Sequence, residues 1–357
     1  MKSHSLSTLM FTLATVLLSQ PGWSNNTIEL TSAGPIAFGP KGILLVSDPM
    51  AATIYAVETG DSQELPLRPG VNVPGLKKTI AGMLASQENQ IQIRDLAVNP
   101  QNGNVYLSVA RDNQSIILKV DAKSNKISEF ELAKAKSTQT RIPNAAKSQQ
   151  SRRGNPRLFS ITDMAFINGQ VYVAGLSNEE FASNLRAIQY PFSKVSKGSS
   201  IEIYHGAHGK YETRSPVRTF AAYEINGEMN LLAAYTCTPL VRIPVKSLSG
   251  TGKVKGTTVA ELGNRNRPLD MVVYKKNGKD FILMANSSRG VMKVNLERVS
   301  QVEPITTRVS GGQTAGVTYQ TIEDLKEVTQ LDGLGTTHAV ILIESESGSE
   351  LKTIALP

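Results

Sequence analysis

A single cysteine, Cys237, stands in a chain of 357 residues. No disulfide can form within the chain, and four-cysteine zinc sites and iron–sulfur clusters are excluded. Gly (28) and Pro (17) together stay near an eighth of the residues, which excludes a collagen-like or low-complexity chain. Several catalytic signatures are absent as well. There is no Gly-x-Ser-x-Gly elbow, no phosphate-cradling Gly-Lys-Ser/Thr loop, no His-Glu-x-x-His and no dinucleotide fingerprint. The commonest hydrolase, nucleotide-binding and metalloprotease readings fall with them. With 40% hydrophobic residues, the chain can bury one large core.

The first 24 residues read as a signal peptide: Lys2, an apolar run from Leu6 to about Leu18, then small residues at Gly22 and Ser24 ahead of a cleavage point. The run is too short and too rich in Ser and Thr for a spanning helix, and no later stretch reaches membrane length. The expectation is a periplasmic or extracellular protein, residues 25–357, without a transmembrane anchor after cleavage. The net charge of +8 is concentrated in one place. Lys134 to Arg157 holds seven basic residues and no acid, and the remaining mature chain balances 30 basic against 30 acidic side chains. This segment, 134–157, is expected to be a basic insertion loop, solvated or set against an anionic surface. Export and the lack of interleaved aromatics argue against nucleic acid as a partner.

What is present is a repeat. Six short apolar segments begin at Pro35, Asp95, Asp163, Phe220, Asp270 and Gly316. The first five run into turns such as Asn168-Gly169, Asn226-Gly227 and Asn277-Gly278, and a second apolar strand follows each turn. Asn-Gly is the chemistry of a tight hairpin. Short strands recurring every 50 residues or so predict an all-β propeller of six blades, with seven the alternative if a degenerate blade occupies 60–92. Leu76, Ile80, Met83 and Leu84 follow Pro74 at helical spacing and predict a short helix over 74–86 instead. Ile322, Leu325 and Val328 predict a second helix over 321–331. Thr27–Thr31 and Leu351–Leu356 are expected to pair and close the ring.

Arg94-Asp95-Leu96-Ala97-Val98-Asn99-Pro100, Asn104-Val105-Tyr106-Leu107 and Arg267-Pro268-Leu269-Asp270-Met271-Val272-Val273 resemble the blade motif of NHL-type and gluconolactonase-type (YVTN-like) propellers. The resemblance spans most of 34–345. The NHL pattern has Gly where this chain has Asp95, Asp163 and Asp270. The resemblance also implies a channel-mouth metal held by Glu, Asn and Asp. That set has no residue-by-residue match here, so lactonase activity does not carry over.

In such a frame the polar residues gather on one face, on loops entering the inner strands and loops joining second to third strands. Arg218, Asn264, Arg265, Arg267, Asn286 and Arg289 are the candidates for holding a ligand. Asp95, Asp163 and Asp270 begin inner strands, either as acceptors for backbone N–H groups or as a carboxylate ring for a divalent cation such as calcium or zinc. His205 and His208, three apart in a Gly-rich loop, form with Cys237 an alternative set suited to zinc or copper. His205, His208 and Glu212 are the candidates for proton transfer. Three functions follow: a binding module for a small ligand or exported protein partner, a metal-dependent hydrolase or lactonase-like enzyme at the channel mouth, and a redox or copper protein. No motif demands catalysis.

Overall fold

The computed structural model describes Trp23 and residues 27–357 other than 113, 153, 238 and 311, so the signal-peptide expectation lies almost wholly outside the described residues. No helix among them is long and apolar enough to cross a membrane. Six sheets form a ring, antiparallel throughout except where Lys253–Lys255 pairs parallel to Ser199–His205. Blade 1 pairs Ile36–Phe38, Ile43–Asp48 and Thr53–Glu58 with Ser137–Arg141, and blade 2 pairs Ile91–Val98, Val105–Arg111, Gln114–Val120 and Ile127–Phe130. Blade 3 runs from Asp163–Ile167 through Gln170–Leu176 and Ser183–Gln189 to Ser199–His205 and Lys210–Glu212. Blade 4 holds Val217–Ile225, Glu228–Tyr235, Pro239–Pro244 and Thr257–Glu261, with Ala315–Gly316 at its edge. Blade 5 holds Pro268–Lys276, Lys279–Asn286, Val291–Asn295 and Tyr319–Ile322. Blade 6 holds Val328–Leu334, His338–Ser345 and Gly348–Ala355, completed by Asn72–Pro74. There is no seventh blade among the described residues.

The hairpin turns form as their residues require. Asn168-Gly169, Asn226-Gly227 and Asn277-Gly278 all take positive φ at both positions (48° and 81°, 53° and 76°, 52° and 76°), the primed turn whose twist matches the flanking strands. Middle strands are apolar on both faces because sheets flank them. In blade 2, Val105, Leu107, Val109, Leu118 and Val120 are fully buried, packed against Val340, Leu342 and Leu351 of blade 6. The predicted helix forms over Leu76–Met83, and its Leu76 and Ile80 enter the same core.

The chain does not visit the ring in order. Inner strands neighbour one another in the sequence blade 3, 4, 5, 6, 2, 1 and back to 3. Blade 2 therefore sits between blades 1 and 6. The segment leading into it supplies the outer strand of blade 6, with Leu351 opposite Val73. The segment leading out supplies the outer strand of blade 1, with Tyr55 opposite Gln139. Two expectations are corrected here. Thr27–Thr31 forms no strand, and Leu351–Leu356 belongs to the third strand of blade 6, whose free edge Asn72–Pro74 takes. The ring is thus closed by the 60–92 segment rather than by the chain's first residues. The basic segment 134–157 contributes a blade strand, Ser137–Arg141, as well as loop.

The helix expected over 321–331 is absent: Tyr319–Ile322 and Val328–Leu334 are strands. A bulge between Val328 and Gln330 offsets the alternation, so Val328, Leu331 and Leu334 are buried at three-residue intervals and imitate helical spacing. The inner strand of blade 6 is this segment. The segment expected in that place, Gly316–Tyr319, is divided between the edges of blades 4 and 5.

Candidate functional site

Inner strands of neighbouring blades splay too far apart to pair, and aspartates span the gaps. Asp163 Oδ1 accepts the N–H of Met164 (2.7 Å), and its Oδ2 accepts that of Phe220 on blade 4 (2.7 Å). Asp270 does the same with Met271 (2.8 Å) and Leu331 on blade 6 (2.8 Å). Asp95 takes Leu96 (2.9 Å) and Ile36 on blade 1 (2.7 Å). A fourth, Asp332, takes Gly333 (2.7 Å) and Val98 on blade 2 (2.8 Å). The carboxylates do meet around the axis, and every oxygen accepts a backbone N–H, so the group braces four of the six blade junctions. Burial pushes Asp163 up to about 7 and Asp332 up to about 6, against the lowering by their N–H donors. Asp95 and Asp270 rise as well, from burial first and from the other carboxylates next. The side chains keep partial contact with a central channel of about 400 Å³ while protein surrounds them on all sides. Sequence reasoning missed Asp332 because it placed the sixth inner strand elsewhere. Leu331-Asp332 repeats the Leu269-Asp270 pair and was the available signal.

Ahead of this ring the channel opens into a cavity of about 710 Å³. Arg94, Arg218 and Arg267 line it, and no acid forms an ion pair with any of the three among the described residues. Asp112, the one acid in the lining, is engaged by Gln90 Nε2 (3.1 Å to each oxygen). Arg218 is held in place: its Nε donates to Thr236 Oγ1 (3.1 Å), and its guanidinium lies 5.2 Å from the centre of the Phe159 ring. Burial, and then the charge of Arg267, disfavours its protonated form.

The other predicted ligand-holding residues bind loops to each other. Asn266 Nδ2 donates to Asn286 Oδ1 (2.9 Å), and Asn286 Nδ2 donates to the carbonyls of Met284 (3.1 Å) and Gly290 (3.3 Å). Arg289 Nη2 donates to the Asn264 carbonyl (3.1 Å) across Gly263, whose φ of +99° and lack of a Cβ admit the guanidinium. Arg265, with φ +56°, is exposed, and its carbonyl accepts from Ser288 Oγ (2.9 Å). Of the predicted set, only Arg218 and Arg267 reach the cavity. The basic segment places Arg141 and Arg157 on a second cavity of about 450 Å³, beside Asn144 and Asn178.

On the same face, where the outer edge of blade 3 meets blade 4, the structure brings together His205, His208 and Cys237. One nitrogen of each ring and Cys237 Sγ lie within 4.8 Å of one another. His205 ends its strand and is 2% exposed, while His208 sits on the Gly206–Gly209 turn, its ring centre 3.8 Å from that of His205. Glu212, on the returning strand, accepts from both: Oε2 faces His205 Nδ1 (2.9 Å) and Oε1 faces His208 Nδ1 (2.6 Å). Those bonds hold its carboxyl down to about 2. Cys237 adopts φ +65°, and its N–H donates to the Asn266 carbonyl (2.7 Å).

No protein-family model and no curated protein sequence matches the chain. Among solved structures, it is similar to a PQQ-bound aldose sugar dehydrogenase from Streptomyces coelicolor (13% identity, 92% of this chain and 96% of that one, TM-score 0.36). It is similar also to the Plexin A4 full extracellular region (10% identity, 92% and 47%, TM-score 0.40) and to a luciferin-regenerating enzyme (9% identity, 92% and 92%, TM-score 0.31). At these scores none carries an argument about activity, and the architecture rests on the strand pairing described above. The chain is a six-bladed β-propeller.

Proposed function

We infer that this propeller is a binding module that takes a small anionic ligand, a carboxylate or a phosphate ester, in the arginine-lined mouth of its channel. The observation that carries this reading is the set of Arg94, Arg218 and Arg267 around one cavity of about 710 Å³ with no ion-pair partner. Three unpaired guanidiniums facing one space repel each other, and an anion relieves that repulsion while accepting charge-assisted hydrogen bonds. Arg218 is already oriented by Thr236 and Phe159, so little side-chain freedom is lost on binding. Residues 1–24, read as a signal peptide, would deliver the module outside the cytoplasm.

The test is thermal-shift screening of carboxylates and phosphate esters against matched neutral analogues, followed by calorimetry on any hit. Arg218→Ala and Arg267→Ala should each weaken binding about 10- to 100-fold, the worth of one charge-assisted bond. Affinity should also fall with added salt. Equal binding of the neutral analogue, or affinity indifferent to both substitutions, would overturn the reading.

A further inference from the structure

The geometry points to a mononuclear metal site at the junction of blades 3 and 4, in which His205, His208 and Cys237 hold one zinc or copper ion. The site is separate from the arginine-lined mouth and does not depend on that reading.

Glu212 has one carboxylate oxygen on the Nδ1 of each ring. A carboxylate only accepts, so both rings carry their proton on Nδ1 and present Nε2 as a bare lone pair. Imidazoles that ligate a metal are commonly held this way, with a carboxylate fixing tautomer and orientation. His205 Nε2 is buried and has no hydrogen-bond partner, in a side chain only 2% exposed. An acceptor left empty in the interior is destabilising, and a metal ion would satisfy it.

The spacing fits. A tetrahedral ion with bonds of about 2.0–2.1 Å to nitrogen and about 2.3 Å to sulfur sets its donors about 3.4–3.6 Å apart. One nitrogen of each ring and Cys237 Sγ already lie within 4.8 Å of one another, close enough for side-chain rotation to reach that spacing. Two imidazoles and a thiolate select zinc or copper over calcium or magnesium, which prefer oxygen. His208 is 46% exposed, so the fourth position opens toward solvent. Glu261 stands behind the site: its Oε1 accepts the Gly206 N–H (2.5 Å), and its buried Oε2 has no partner.

The experiment titrates the metal-stripped protein with Co²⁺, Zn²⁺ and Cu²⁺ in turn. Cobalt should bind at one equivalent with a thiolate-to-metal charge-transfer band and the strong d–d absorption of a four-coordinate ion. Zinc should displace it without colour, and copper should give an intense thiolate-to-copper band. Binding should release the Cys237 thiol proton. Cys237→Ser should lose the charge-transfer band, and Glu212→Gln should weaken zinc about 10- to 100-fold. Alkylation of Cys237 in the unaltered chain should slow when one equivalent of zinc is present, which needs no variant to fold. No uptake at one equivalent, uptake with no charge-transfer band, or alkylation indifferent to zinc would each overturn the site.

Discussion

Asp163 ties the stability of the ring to pH. Its carboxyl is pushed up to about 7 in the folded chain from the ordinary 3.8, burial being the first cause. Between those values the unfolded carboxyl is ionised and the folded one keeps its proton, so the native state binds more protons. Stability contributed by this group is therefore complete below about pH 4 and is lost as the pH rises to about 7. The slope is about 1.4 kcal/mol per pH unit, and the whole span amounts to at most about 4 kcal/mol, because the side chain keeps some contact with channel water. Asp332, pushed up to about 6, adds in the same direction, as do Asp95 and Asp270. Glu212 works the other way. Held down to about 2, it contributes stability above its ordinary 4.5 that disappears as the pH falls toward 2. The urea midpoint should thus be highest near about pH 5 and fall steadily toward about pH 8. Asp163→Asn cannot ionise. Its amide oxygen keeps one backbone N–H and its NH₂ group meets the other, so it should be about 1–3 kcal/mol less stable than the parent near pH 5. That gap should narrow as the pH rises. A parent midpoint that is flat or rises from about pH 5 to 8, or a variant with the parent's slope, would refute the reasoning.

Other perturbations test the packing and the mouth. Leu107→Ala, in a fully buried position between blades 2 and 6, should cost about 2–5 kcal/mol by denaturant unfolding. Ile80→Ala, in the helix over the same core, should fall in the same range. Gly263→Ala places a Cβ 2.6 Å from Arg289 Cζ at φ +99°. It should displace Arg289 from the Asn264 carbonyl and weaken anion binding through Arg267, read as a larger Kd in calorimetry.

The blades were legible wherever the code is local. Apolar segments flanking tight turns, four of them Asn-Gly and one Gly-Pro-Lys-Gly, located five of the six inner strands and their second strands, because turn type and register are set within a few residues; the sixth second strand was found from its apolar run alone. The sixth inner strand was hidden because Ile322, Leu325 and Val328 read as helical spacing, although Ile322 ends a strand of blade 5 and Val328 begins the inner strand of blade 6, where a bulge sets burial at three-residue intervals. Ring order was not legible, since pairing of Val73 with Leu351 joins residues that no local pattern connects. The candidate site divided in the same way. His205, His208 and Glu212 lie within eight residues of one another and could be grouped by eye. Loop-holding and cavity-lining residues differ only in where their side chains end, so Asn286 and Arg289 could not be told from Arg218 and Arg267 without coordinates.

The order of the ring explains why the polar chemistry collects where it does. Both crossovers of the chain run along the outer edges of blades 1 and 6, around blade 2, and those edges are occupied by the strands that close the ring. Blades 3, 4 and 5 follow one another in the chain as they do in space, so their connecting loops have no closing to do. The strand ends and loops of these blades carry His205, His208, Arg218, Cys237 and Arg267. The aspartate brace holds the inner strands at the junctions of blades 3 with 4 and 5 with 6. Among the described residues, no such carboxylate spans the junction of blades 4 and 5. There Asn266 bonds to Asn286, and the Asn266 carbonyl receives the N–H of Cys237 on blade 4. The loop that carries Arg267 into the mouth is therefore bonded directly to the loop that carries Cys237. Thr236, between that cysteine and the strand, holds Arg218. Rigid inner strands and short polar connections bring the two candidate sites side by side.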